Sequence, residues 1–260
     1  MSFNDFHVHS NFCDGKDSIA DIVDYALTLG VCKLGLSCHS YVDFDDCCIS
    51  KNKYKNYFNE IAIAQQKHKN KILILTGIEH DYFSDIDHGK FDYVIGSVHY
   101  LKINNNYYSV DYTKELFLDI INQFFNGDFY SFCEQYFKIV GDVKNKTKCN
   151  IVGHFDLISK FNENDNIFDS SNSRYRNAWM CALDSIGCKN TIFEINSGAI
   201  SRGYRTDFYP SKEIRKYINE NGGKFIFSSD SHSKESICYK FEDMEKLALE
   251  ENLNLVSSPV

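Results

Sequence analysis

An α/β barrel of seven βα units is the fold this sequence predicts, and three observations predict it. Short apolar, β-branched runs alternate with amphipathic helical stretches along the chain, the pattern of a parallel sheet. Side chains able to bind a metal follow nearly every one of those runs. No glycine-rich GxGxxG turn follows the first run, where an open dinucleotide-binding sheet would place it.

Residues 3–8 form the first apolar run and lead into His7-Val8-His9. Residues 18–29 carry Ile19, Ile22, Val23, Ala26 and Leu27 at helical spacing, and Gly30 suits the stop. A short strand is expected over 33–37, then an aspartate-rich loop, then a helix over 54–69 with Phe58, Ile61 and Ala62 on one side. Residues 71–78 and 91–97 read as strands three and four. The longest connection holds two amphipathic helices, 113–125 with Thr113 as N-cap, and 128–143. Strand five is expected over 149–153, a helix over 174–186 and strand six over 191–195. A helix over 211–221 follows Pro210, then strand seven over 224–228 and a last helix over 241–251.

Length and composition fit one soluble domain over 1–260: 43% of residues are hydrophobic and 25% charged, with two prolines and no Gly/Ser-rich linker. A net charge of -8 argues against nucleic acid or an anionic membrane as partner. The longest apolar runs are too short to span a bilayer. The opening Met1-Ser2-Phe3-Asn4-Asp5 lacks a basic segment, so a cytoplasmic location is expected. The ten cysteines have no CxxC spacing and read as reduced thiols, with Cys32, Cys38, Cys149 and Cys188 as small core fillers. Nothing in the sequence specifies an oligomeric interface.

The candidate metal ligands are His7, His9, Asp14, His39, Glu79, His99, His154, Asp230 and His232, most of them at the C-terminal ends of expected strands. Barrel enzymes build their sites on that face. Residues i and i+2 of a strand share a side, so His7 and His9 can bind one ion, and the same geometry is expected of Asp230 and His232. Strand six supplies Asn196 in place of a ligand. His80 should face away from Glu79, while His68 and His88 are expected to be structural or surface residues. Asp156, two residues after His154, is expected to cap or orient. Mixed His/Asp/Glu ligation without thiolate suits zinc, iron or manganese, and nine ligands suit more than one ion.

These motifs resemble the polymerase and histidinol phosphatase (PHP) family. The resemblance is carried by His7-Val8-His9, Asp14-Gly15, Cys38-His39, Gly77-Ile78-Glu79, Ile95-Gly96-Ser97-Val98-His99, Gly153-His154-Phe155-Asp156-Leu157, Asn196-Ser197-Gly198, Tyr209-Pro210-Ser211 and Ser229-Asp230-Ser231-His232, in family order over almost the whole chain. It implies a distorted (β/α)7 barrel with three divalent ions. One ion would take His7, His9, Glu79 and Asp230, a second Asp14, His39 and His232, and a third Glu79, His99 and His154. His80 departs from the usual apolar residue at its position.

The implied activity is hydrolysis of a small phosphate monoester, L-histidinol phosphate, in histidine synthesis. Three dications against three carboxylates leave about +3 with neutral histidines, which attracts a phosphate dianion and acidifies water near neutral pH. Asp230 and His232 are expected to take part in the chemistry, Asp230 being one candidate for protonating the leaving alkoxide. Arginine is scarce, five in total, so Arg202 and Arg205 after strand six are candidate phosphate ligands, with Lys160 behind them. Competing readings are a PHP phosphoesterase acting on nucleotides or phosphotyrosine, and a non-catalytic metal-binding regulatory barrel. The last would predict eroded ligands, whereas every motif position here is filled.

Overall fold

The computed structural model describes residues 3–260. Its strands are β1 (Asn4–Val8), β2 (Lys33–Leu36), β3 (Leu73–Asp81), β4 (Tyr93–Ser97), β5 (Tyr100–Ile103), β6 (Asn106–Ser109), β7 (Ile151–Val152), β8 (Ile192–Asn196) and β9 (Lys224–Ser228). Seven of them form one parallel sheet in the order β1-β2-β3-β4-β7-β8-β9, while β5 and β6 form a separate antiparallel hairpin. The helices are α1 (Ile19–Thr28), α2 (Tyr54–His68), α3 (Lys114–Phe125), α4 (Phe129–Val140), α5 (Val143–Thr147), α6 (Asn162–Asp165), α7 (Ser173–Ile186), α8 (Gly198–Ser201), α9 (Lys212–Glu220) and α10 (Phe241–Glu250). None among the described residues is long and apolar enough to cross a membrane.

The sheet curls into a nearly closed barrel whose seam lies between β1 and β9. Pairing across it is confined to the top, where His9 N–H donates to Ser231 O at 2.8 Å and Ser231 N–H to His7 O at 3.1 Å. Lower down the Asp5 carboxylate fills the gap. It accepts from the backbone N–H groups of Ser229 and Cys238 at 3.1 and 3.0 Å, supplying acceptors that a missing ladder would withhold. Burial pushes the Asp5 pKa up, against the pull of Ser229 and Cys238.

The barrel interior is plugged below its mouth by Phe6, Tyr93, Ile95, Ile151 and Ile226. The opposite strand faces, including Val8, Leu34, Ile78 and Phe193, join the larger core under the helices. Tyr93 lies across β2 and β3, where a Cβ on Gly35 or Gly77 would overlap its ring, and its hydroxyl donates to Phe6 O at 2.5 Å. Two glycines thus make room for one aromatic plug.

Most expected elements stand within a few residues of their bounds. Thr113 caps α3 and Asp128 caps α4 through side-chain acceptance of backbone N–H groups. Three differences matter. Strand three runs on past Glu79 to Asp81, strand five shrinks to Ile151–Val152, and the hairpin β5–β6 was not anticipated. Its turn uses Asn104 and Asn105 at positive φ, a signal present in the sequence. The ten cysteines are free thiols; Cys38, Cys149 and Cys188 are buried as core fillers, but Cys32 is exposed.

Candidate metal centre

All nine expected ligands converge at the C-terminal ends of the strands, around the carboxylate of Glu79. Its Oε2 lies 2.8 Å from His39 Nδ1, 3.3 Å from His7 Nε2 and 3.5 Å from His9 Nε2. Its Oε1 lies 2.9 Å from His154 Nε2 and 3.2 Å from His99 Nε2. Asp230 Oδ1 is 3.4 Å from His9 Nε2 and 3.8 Å from His7 Nε2. Asp14 closes the outer edge, 3.1 Å from His232 Nε2 and 3.6 Å from His39 Nε2. Three groups of ligand atoms are compact enough to hold an ion: His7, His9 and Asp230; His9, Asp14, His39 and His232; and His39, Glu79 and His99.

The backbone explains how these side chains reach one place. A register shift in β1 between Asp5 and Val8 keeps His7 on the inner side although Phe6 just before it also points inward. Asp230 and His232, by contrast, do not share a strand face as expected. β9 ends at Ser228, and Asp230 adopts φ 51°, a left-handed turn that aspartate tolerates better than most residues. Gly198 is needed beside it, because a Cβ there would sit 2.5 Å from Asp230 Oδ2 and 2.8 Å from Arg202 Nη2.

The donor chemistry fits divalent cations. His7 Nδ1 meets Glu194 Oε1 at 2.6 Å and His99 Nδ1 meets Asp81 Oδ2 at 3.1 Å, whereas His232 Nδ1 sits between the Asp230 carbonyl at 3.0 Å and Arg202 Nη1 at 3.2 Å. An acceptor behind Nδ1 fixes the proton there and turns the bare Nε2 toward the centre, as metal ligation requires. His7 Nε2, His9 Nε2 and Glu79 Oε2 are buried without a hydrogen-bond partner. Burial opposes ionisation of the Glu79, Asp230 and Asp14 carboxylates, yet the cationic groups around each more than offset it. Glu79 is held well below the usual carboxylate range by His39, His7 and His99. Asp230 is held low by Arg202 and His7, and Asp14 by His39 and His232. Burial likewise disfavours protonated imidazole, but Glu194 and Glu79 raise His7, Glu79 and Asp14 raise His39, and Glu79 and Asp81 raise His99 to about 10. The cluster therefore calls for positive charge at its centre.

The PHP domain profile matches residues 5–198 of this sequence. The chain belongs to the PHP family. The histidinol-phosphatase of Bacillus subtilis (strain 168) is 23% identical over 271 residues, covering 93% of this chain and 98% of that protein. Among solved structures, histidinol phosphate phosphatase (HISK) of Lactococcus lactis, complexed with zinc, L-histidinol and phosphate, superposes with a TM-score of 0.74 at 22% identity, over 98% of this chain and 96% of that one. The hisK protein of Listeria monocytogenes gives 0.79 at 20% identity, over 93% and 99%. At these identities the structural likeness is one of fold, and the fold is the PHP barrel.

In this PHP barrel a cavity of about 560 Å³ opens above the ligands. Arg202 lines it, one-third exposed, with Nη2 3.1 Å from Asp230 Oδ2 and Nη1 donating to Asp230 O at 3.1 Å. Lys160 also lines it, but its ammonium is spent on Asp111, 2.5 Å from the carbonyl and 3.2 Å from Oδ2. Arg205 does not reach the mouth. It is buried, its guanidinium bonds Ser159 and Ser211, lies 3.8 Å from Asp156 and stacks 4.3 Å over Tyr209. The expected phosphate role of Arg205 gives way to a buried brace, in which Asp156 also accepts from Ser211.

Sequence reasoning missed two carboxylates of the PHP centre. Glu194, not Asn196, is the strand-six residue that reaches it: Oε1 faces His7, while Oε2 accepts from His154 N–H at 3.0 Å and Asn196 Nδ2 at 3.1 Å. Asp81 does the same for His99 from the extra residues of β3. Strand parity held the signal, since Glu194 and Asn196, like Glu79 and Asp81, are two apart. His80 is buried away from the cluster, with Nδ1 donating to Asp81 O at 3.0 Å and its ring against His88. His68 is a buried structural residue, 3.5 Å from Asp24.

Proposed function

We propose that this chain, as one PHP domain, is a metal-dependent phosphomonoesterase that hydrolyses L-histidinol phosphate to L-histidinol and phosphate. The observation that carries the phosphoesterase reading is the convergence of six imidazoles and three carboxylates at one cavity, with a guanidinium at its rim. End-to-end similarity to the B. subtilis histidinol-phosphatase supports the choice of substrate.

About three ions would be held, by His7, His9, Glu79 and Asp230, by Asp14, His39 and His232, and by Glu79, His99 and His154, with zinc, iron or manganese all compatible with these donors. Divalent ions bound there supply Lewis acidity toward phosphoryl oxygens and lower the pKa of water enough for attack at neutral pH. Arg202 contributes a bidentate guanidinium for the non-bridging oxygens, kept at the rim by Asp230. Asp230 stays ionised beside Arg202 and His7. It therefore orients an attacking water by accepting its hydrogen bond and is unsuited to protonating the leaving alkoxide. His232 Nδ1 lies 3.0 Å from the Asp230 backbone carbonyl and 3.2 Å from Arg202 Nη1, contacts that hold its ring at the mouth with Nε2 toward Asp14. Lys160, neutralised by Asp111, serves as a wall of the cavity with weaker pull on phosphate.

The test is phosphate release from L-histidinol phosphate, nucleoside monophosphates and a phosphotyrosine peptide under one set of conditions. The reading expects histidinol phosphate to lead in kcat/KM by at least about tenfold, or about 1.4 kcal/mol. A comparable lead for a nucleotide or the peptide would transfer the assignment to that substrate.

A further inference from the structure

We propose that Asp45 selects phosphate monoesters that carry a cationic amine, by pairing with the substrate ammonium inside the cavity beside the metal centre. The proposal rests on the phosphatase reading and adds to it the residue that chooses among substrates. Five carboxylates line the cavity: Asp14, Asp45, Asp81, Asp111 and Asp230. Four already face cationic or ligating groups. Asp14 and Asp230 belong to the histidine cluster, Asp81 holds His99, and Asp111 holds Lys160. Asp45 alone is held only by neutral donors, Oδ1 by Cys47 N–H and Oδ2 by the Tyr100 hydroxyl, each at 2.8 Å.

Those two bonds leave acceptor capacity, since a carboxylate offers about four lone-pair sites. They also fix the group in place. Phe44, its neighbour in sequence, stacks on Tyr107 of the hairpin at 3.8 Å between ring centroids and 8° between planes. The Tyr41 carbonyl accepts from Ser84 Oγ at 2.6 Å. Phe44 and Asp45 thus tie the loop of residues 41–48 to the hairpin, and Tyr41 ties it to Ser84, so less ordering is needed when a ligand arrives. In L-histidinol phosphate the amine is on the carbon next to the one bearing the phosphate ester. A phosphate docked at the ligands carries that ammonium into the same cavity. Its protons gain a charge-assisted bond to Asp45. An ester without the amine covers the carboxylate and returns nothing, which is how a polar site rejects an apolar analogue.

The test compares kcat/KM for L-histidinol phosphate with that for its deamino counterpart, in the wild-type protein and in Asp45→Asn, with both proteins matched for metal content and melting temperature. The expected result is a selectivity ratio on the order of tenfold or more in favour of the amine, collapsing at least tenfold in Asp45→Asn. Asp45→Glu, which keeps the charge, should retain more of the preference than Asp45→Asn. A ratio unchanged by Asp45→Asn, or an equal loss on both esters, overturns the role of Asp45 while leaving the phosphatase reading intact. Failure of the wild-type protein to hydrolyse either ester overturns both.

Discussion

Replacing Glu194 by glutamine tests whether the ligand histidines depend on the carboxylates behind them. Glu194 is fully buried and accepts three hydrogen bonds, from His7 Nδ1 at 2.6 Å, His154 N–H at 3.0 Å and Asn196 Nδ2 at 3.1 Å. Glutamine keeps the shape but turns one acceptor oxygen into an NH2 donor, so at least one of these donors then faces another donor. A buried polar group left without its partner costs about 1–3 kcal/mol, more where charge is involved. Spent on the orientation of His7, that is about 10- to 100-fold in metal affinity or activity. Metal titration and kcat/KM on the same sample provide the assay. Weaker metal binding should account for the loss, so excess metal should restore part of the rate. Metal affinity and kcat/KM both within about twofold of wild type would refute the reasoning.

Arg202→Ala should raise KM for a phosphate ester about tenfold or more with little change in melting temperature, and Arg202→Lys should recover only part because it loses the bidentate fork; an unchanged KM would remove Arg202 from phosphate binding. In the metal-free protein His99 has a pKa of about 10 against an ordinary 6.5, and His7 and His39 move the same way. Their protonation stabilises the metal-free fold fully below pH 6.5, and that stability is lost as pH rises toward 10. Chelated protein should therefore melt progressively lower across that window while loaded protein, whose histidines are already deprotonated, does not. Gly77→Ala should cost about 1–3 kcal/mol in a urea titration, because the new Cβ overlaps the Tyr93 ring that plugs the barrel.

The barrel, and the gathering of the nine candidate side chains at its mouth, were legible because both depend on periodic features. Apolar runs at regular intervals give the strands, and polar ligand types at their ends give the mouth. What was illegible depends on departures from period. The shift in β1 that keeps His7 inward and the left-handed turn at Asp230 break strand alternation, which an i, i+2 argument assumes throughout. Glu194 precedes the last polar residue of strand six by two positions, and only the length of its side chain carries the carboxylate to His7 and His154. Arg205 was the weaker of the two arginine candidates in sequence, though still a candidate phosphate ligand. It lies three residues further on, and the chain from α8 to the Tyr209-Pro210 segment turns it inward to Asp156 and Tyr209, a consequence of tertiary packing alone. Asp45 and Tyr100 come from a loop and a hairpin, and only their packing brings the carboxylate and the hydroxyl together.

The most direct measurement is metal content and phosphate release followed on one sample through chelation and reconstitution. The account predicts about three equivalents of divalent ion per chain, loss of hydrolysis of L-histidinol phosphate as they are removed, and recovery when zinc, iron or manganese is returned. Full hydrolysis by a sample stripped of metal would contradict it.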